Sequence, residues 1–169
     1  MADFEAVVCN QNDLKKINDL YESSPQYLTQ HPAFARAISE KSFQVGIYKK
    51  TQLVCVIPFI PHRGKLEKQW ITPLFAPFSG PMADAYFYET SKSAEKFWRD
   101  VWQALSELEI KWPDFTNMIL PPGIIDARHL IWDDWEAVPH YNYVSRWENE
   151  NEWLDLWDNS ARRQVSKAQ

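Results

Sequence analysis

The sequence predicts an α/β domain in which helices cover a mixed, largely antiparallel sheet. Three observations carry that expectation. Residues 43–60 read as two strands joined by a polar turn, the pattern of a β-hairpin. Residues 93–111 repeat apolar side chains at three- and four-residue spacing, the period of an amphipathic helix. Short strand-like and helix-like runs alternate along all 169 residues, with no repeat, low-complexity tract or flexible linker between them. A chain of this length, 45% hydrophobic and 24% charged, suits one domain over residues 1–169 with a substantial core.

The elements follow in order. Residues 4–9 form a short first strand. Asn12 is placed to cap a helix from Asp13 to about Glu22, with Leu14, Ile17, Leu20 and Tyr21 on one face. Ser23, Ser24 and Pro25 end it. A second helix starts near His31, with Pro32 in the first turn, where its missing N–H does no harm. Residues 43–48 and 53–60 are the hairpin strands, and residues 49–52 the turn. The second strand is almost continuously apolar, which predicts burial on both faces, with Pro58 at a bulge or an edge. Residues 65–72 form a third strand ahead of a Pro-rich loop. After the helix at 93–111, residues 115–120 form a strand stopped by Pro121, Pro122 and Gly123. A short helix over 124–132 and a strand over 135–147 follow. A last helix begins near Asn149 or Glu150.

Composition narrows the function. A net charge of -5 and a pI near 5.4 argue against general nucleic-acid binding, which needs a basic face. Cys9 and Cys55, far apart in sequence, fit a reducing compartment and offer no zinc site. No signal peptide or membrane-spanning run is present in the sequence, so a cytoplasmic protein without a membrane span is expected. His31, His62, His129 and His140 share no metal-ligand spacing, and no metal is expected. Asp133, Asp134 and Glu136 read as a solvated turn, and His62 with Arg63 as a charged turn. Both cysteines lie in apolar strands and behave as small hydrophobes rather than nucleophiles. Nine Trp, nine Phe and seven Tyr are an unusual load. They fill a core or line a groove for a flat ligand, and composition leaves both readings open.

Two segments stand out. The loop over residues 74–84 is stiffened by Pro77 and Pro81 after Pro73, and carries Gly80, where the backbone can approach a neighbour closely. It is either a rigid structural turn or a ligand-facing loop. The last nine residues hold Arg162, Arg163 and Lys167 on a helical run, with Arg163 and Lys167 on one face. Such a cluster is favoured by the dipole at a helix C-terminus, or holds an anionic ligand. No Gly, Pro or turn cluster closes this helix before Gln169. That pattern is expected of the first half of a longer protein.

Residues Phe78, Ser79, Gly80, Pro81, Met82, Ala83 and Asp84 resemble the Arg-Gly-Pro loop of the Fem-type aminoacyl and acyl transferases, which are tandem GNAT-fold proteins. Residues 153–168 are similar to the acidic, Leu-containing helix of that family that leads into Arg-x-x-Ile-x-Lys-Ala. Val165 takes the apolar position, and Arg163 and Lys167 fall near the basic ones. The hairpin over 44–58 is similar to the family's opening strands. The resemblance implies a GNAT-like domain forming the N-terminal, acceptor-binding half of the enzyme. The donor, an acyl-CoA or aminoacyl-tRNA, would be bound mainly by a C-terminal GNAT-like half. The acceptor would be an amine, often on a peptidoglycan precursor. Ser79 stands where the family carries Arg, which weakens the case for an anion held at this loop.

The glycines agree on the donor. A single GNAT domain holds the CoA pyrophosphate on a Gly-rich turn at a helix N-terminus. Gly46, Gly64, Gly80 and Gly123 are isolated, and none precedes a helix in a Gly-x-Gly arrangement. The chain alone is therefore expected to bind no cofactor. The residues expected to contact substrate are Phe78, Ser79, Gly80, Pro81, Arg162, Arg163 and Lys167, and no catalytic base is identified. The expected role is half of a transferase acting on an amine, partnered by the missing half or by a second copy of the chain. The rival readings are a non-catalytic binding module and a remnant without activity of its own.

Overall fold

The computed structural model describes residues 3–63, 68–71, 76–89, 91–124, 127–139 and Arg163. It has two compact units, Met1–Ala137 and Val138–Gln169. In the second, Val138 and Pro139 are irregular, and Arg163 is helical and exposed. All that follows concerns the first.

Its strands are β1 (Phe4–Val8), β2 (Phe43–Lys49), β3 (Gln52–Arg63), β4 (Lys68–Ile71), β5 (Met82–Ala83) and β6 (Phe115–Thr116). They form one sheet in the order β1-β2-β3-β4-β6, with β5 also paired to β3. Every pairing is antiparallel except β4 with β6. The helices are α1 (Leu14–Ser23), α2 (Pro32–Ile38), α3 (Lys92–Ser106) and α4 (Arg128–Trp132). This is the expected mixed, largely antiparallel sheet with helices packed on it.

The long strand β3 is buried on both faces, as its apolar run predicts. Cys55, Ile57 and Phe59 join Val45, Ile47 and the α3 residues Phe97, Trp98, Val101, Trp102 and Leu105 in one core. Leu53 and Val56 meet Ile17 and Leu20 of α1 and Met82 of β5 in a second. Alternation alone would put Leu53 and Cys55 on one side. A bulge opposite Ile47 and Tyr48 inserts Val54, so Val54 and Cys55 both serve the α3 core while Leu53 turns to α1.

The two β3 prolines sit where the ladder needs no donor. Cys9 N–H bonds the Gln44 carbonyl, so Gln44 faces β1, and Phe43, Val45 and Ile47 face β3. By alternation Cys55, Ile57 and Phe59 of β3 point their backbone groups at β2, and Val56, Pro58 and Ile60 point at the opposite edge. On that edge β5 pairs with Cys55 and Val56, and β4 with Ile60 through Arg63. Pro58 faces the gap between β5 and β4. Pro61 faces the β2 side past the Phe43–Phe59 pair, where no β2 residue lies opposite it because β2 starts at Phe43.

Several boundaries differ from expectation. The N-cap is Asn10, not Asn12. Its side chain takes the Asn12 N–H while Asp13 reaches back to the Asn10 N–H, closing a capping box on a 3-10 turn, Gln11–Asp13, that feeds α1. The α2 start is as expected, with Pro32 in the first turn and His31 as the cap. Strand β3 runs on to Arg63, so His62 and Arg63 pair with Gln69 and Lys68 instead of forming a turn. Helix α3 stops at Ser106, short of Lys111. The Ser106 hydroxyl folds back on the Trp102 carbonyl, and Pro113 disfavours helix at Trp112, whose ring packs 5.1 Å from Trp70 instead. Strand pairing after Asp114 covers only Phe115 and Thr116, because the partner β4 ends at Ile71. Helix α4 covers only the second half of the expected 124–132. Residues 135–139 are irregular, and the rest of the strand expected at 135–147 and the last helix, apart from Arg163, lie outside the described residues.

Candidate functional site

The segment over residues 78–88 occupies the divided edge of β3. Gly80 lies against Pro58: a Cβ added at Gly80 would sit 2.8 Å from Pro58 Cδ and 3.6 Å from Ile57 Cγ2. Ser79 N–H bonds the Ile119 carbonyl at 3.4 Å, and Met82 and Ala83 continue as β5. The loop thus fills the place along β3 where neither β4 nor β5 reaches.

A buried polar knot holds it. The Tyr88 hydroxyl donates to the Pro81 carbonyl at 2.7 Å and accepts the Ala83 N–H at 3.1 Å. Gln30 Nε2 donates to the same Pro81 carbonyl at 2.6 Å and lies 3.5 Å from the Tyr88 hydroxyl. Burial is the main reason the Tyr88 phenol is pushed far above its ordinary pKa, so it stays a neutral donor. Tyr88 ends a 3-10 turn, Ala85–Tyr88, started by Asp84, whose carboxylate takes the Tyr86 N–H. Trp98 Nε1 donates to the Phe87 carbonyl at 2.7 Å, and the Phe87 ring stacks on Phe97 at 3.7 Å, tying the turn to α3. Gly123, at φ +97, is pressed on Tyr88: an added Cβ would lie 2.7 Å from the Tyr88 carbonyl oxygen.

Of the loop residues expected at the site, Ser79, Gly80 and Pro81 are buried. Phe78 is half-buried, its ring edge-on to Tyr27 at 4.7 Å. The three act as the frame that sets Phe78 at the surface. Arg162 and Lys167 lie outside the described residues, and Arg163 is exposed in the second unit. Sequence reading missed Gln30 and Tyr88. Gln30 is 3% exposed, and its Oε1 has no hydrogen-bond partner. The available signal was a Gln between Leu28 and the α2 start, which does not distinguish a buried amide from a surface one.

The thiols are inert by environment. Cys55 is fully buried and its thiol is pushed far up by burial. Cys9 is pushed up to about 11, first by burial and then by the Asp13 carboxylate. No group of three His, Cys, Asp or Glu side chains that could hold a metal occurs among the described residues. No helix among them is long and apolar enough to cross a membrane.

No protein-family model matches the chain. No curated protein matches it. Among solved structures, it is similar to a ribosomal-protein-alanine N-acetyltransferase from Brucella melitensis biovar Abortus 2308. The TM-score is 0.46 and the identity 17%, over 85% of this chain and 99% of that one. It is also similar to a possible acetyltransferase from Clostridium difficile 630, with a TM-score of 0.43 and 10% identity over 86% of this chain and 99% of the other. Likeness of this extent carries no argument about activity. The α/β class rests on the sheet itself.

Proposed function

We propose that the chain is the N-terminal, acceptor-binding half of a Fem-like N-acyl or aminoacyl transferase of GNAT type. The observation that carries this reading is the setting of residues 78–84, the segment with the family resemblance. It is locked into the divided edge of β3 by Tyr88 and Gln30 and leaves Phe78 half-buried beside Tyr27. A fixed loop beside a sheet edge is a surface on which an acceptor can be oriented without an ordering cost.

In the complete enzyme the acceptor nitrogen attacks the acyl carbon of a thioester or ester. The C–N bond forms, the C–S or C–O bond breaks, and the amine proton leaves with the departing thiol or hydroxyl. This half orients the amine, and the donor is held by a C-terminal GNAT-like half or by a second copy. The helix N-termini support that division. Asp13 stands immediately before α1, its carboxylate bonded by the Asn10 N–H and the Tyr48 hydroxyl, and α3 opens with the Ser91 cap and Glu95 in its first turn. A carboxylate there opposes a pyrophosphate. Two free cysteines fit a cytoplasmic setting for the proposed enzyme. Among the described residues β1 has no strand on its outer edge, and Val7 and Val8 are exposed there, which favours a partner.

A binding module without chemistry of its own is the second reading, favoured by the burial of Ser79, Gly80 and Pro81. Amide-shift mapping with a UDP-linked peptidoglycan precursor tests acceptor binding. Shifts centred on Phe78 and its neighbours are expected. A saturable site that leaves them unmoved, or no binding, overturns the assignment.

A further inference from the structure

A second feature lies on the opposite end of α3 and is independent of the transferase reading. A cleft of about 450 Å³ opens where α3 ends and α4 turns back. Trp112, Trp132 and Trp135 line it together with Asp133, Asp134 and Ser106. Trp112 and Trp135 stand at 88° to each other with ring centroids 6.3 Å apart, making an aromatic corner. Trp132 is 68% exposed, its ring perpendicular to that of His129 with centroids 4.7 Å apart.

The carboxylates are set by the backbone and not left to solvent alone. Asp134 holds φ +64, a left-handed turn fixed by its N–H to the Ile131 carbonyl and by Trp135 N–H to the Leu130 carbonyl. The Ser106 hydroxyl lies 2.6 Å from Asp133 Oδ2 and 3.0 Å from the Trp102 carbonyl, and its single proton bonds one of them at a time, the shorter contact favouring the carboxylate. Among the described residues no Lys, Arg or His lines the cleft. The described walls therefore combine three indole rings with two carboxylates, and carry no formal positive charge.

We propose that this cleft binds an organic cation, an alkyl- or quaternary ammonium group seated against the tryptophan faces with Asp133 and Asp134 as its counter-charge. Ring faces attract such a cation through their quadrupole, and its weak hydration keeps the desolvation cost low. A neutral sugar could also stack on the rings and give hydroxyl protons to the carboxylates, but it would leave their negative charge unbalanced, which a cation does not. The acids that the sequence reads as a solvated turn thereby acquire a partner class.

The test is titration of the full chain with tetramethylammonium chloride and choline, replacing sodium chloride at constant ionic strength, with 3,3-dimethylbutanol as the uncharged isostere of choline, and with glucose as a neutral sugar. Tryptophan fluorescence and calorimetry read binding. Both cations are expected to saturate, with the neutral isostere at least about tenfold weaker. The Trp132→Ala change removes an exposed ring and should weaken binding roughly three- to fivefold. Asp134→Asn keeps a residue type that tolerates the left-handed turn, so loss of affinity there reports charge and not misfolding. Equal binding of the isostere, preference for glucose, unchanged affinity in both variants, or no saturation below about 0.1 M overturns the proposal.

Discussion

The Tyr88 hydroxyl donates a 2.7 Å hydrogen bond to the carbonyl of Pro81 and accepts one from the N–H of Ala83. One side-chain oxygen thus fixes both ends of the short turn into β5. Without it the buried Ala83 N–H loses this acceptor, and the Pro81 carbonyl keeps the bond from Gln30. Tyr88→Phe should destabilise the protein by about 1–3 kcal/mol, the cost of leaving a buried amide unpaired. Urea unfolding checks this, and a change under about 0.5 kcal/mol would show the knot to be dispensable.

Gly80 is a packing glycine. Its added Cβ meets the Pro58 ring at 2.8 Å, and a ring atom cannot swing away as a flexible side chain could. Gly80→Ala should cost about 1–3 kcal/mol through overpacking and lower the melting temperature. Pro58→Ala combined with it should recover part of the loss, because the clashing ring atom is gone. Additive losses in the double variant would contradict the contact.

Trp102 anchors the α3 core with no exposed surface, stacked on Trp98 at 5.7 Å. Trp102→Ala should cost about 3–5 kcal/mol and leave a chain folded only at low temperature. Trp102→Phe should cost much less, because the lost indole N–H is a buried donor with no partner. Paired thermal melts of the two variants distinguish these outcomes.

Cys9 should be slow to alkylate in the native state. Its thiol pKa rises from 9.0 to about 11. At pH 8 iodoacetamide should modify it tens of times more slowly than a small thiol, and Cys55 only on unfolding. The raised pKa also links to stability. Folding disfavours the thiolate, so this contribution is full below pH 9 and is lost as pH rises from 9 through about 11. The stability gap between the native chain and Cys9→Ser should narrow over that window. A gap independent of pH would contradict the shift.

Much of the fold was readable where one element carries its own pattern. The two-faced burial of β3 follows from its unbroken apolar run, and the α3 stripe from its spacing. Pro32 marked the α2 start. What escaped depends on partners distant in sequence. Strand β5 is two residues long, too short for any alternation, and exists only because Cys55 and Val56 offer an edge. Gln30 reaches Pro81 across 51 residues, which no local window shows. The loop residues were recognised as special for their stiffness and close approach. Their burial was not readable, because Gly and Pro serve a ligand-facing turn and an inward-packed one equally. The tryptophans divided both ways: Trp98 and Trp102 are core, while Trp132 and Trp135 line a cleft.

The central claim is an acceptor-binding half without a CoA site of its own. Calorimetric titration with acetyl-CoA and with a UDP-linked peptidoglycan precursor tests it most directly. Saturable binding of the precursor with no heat from acetyl-CoA is the expected result. Saturable binding of acetyl-CoA to this chain alone would contradict it.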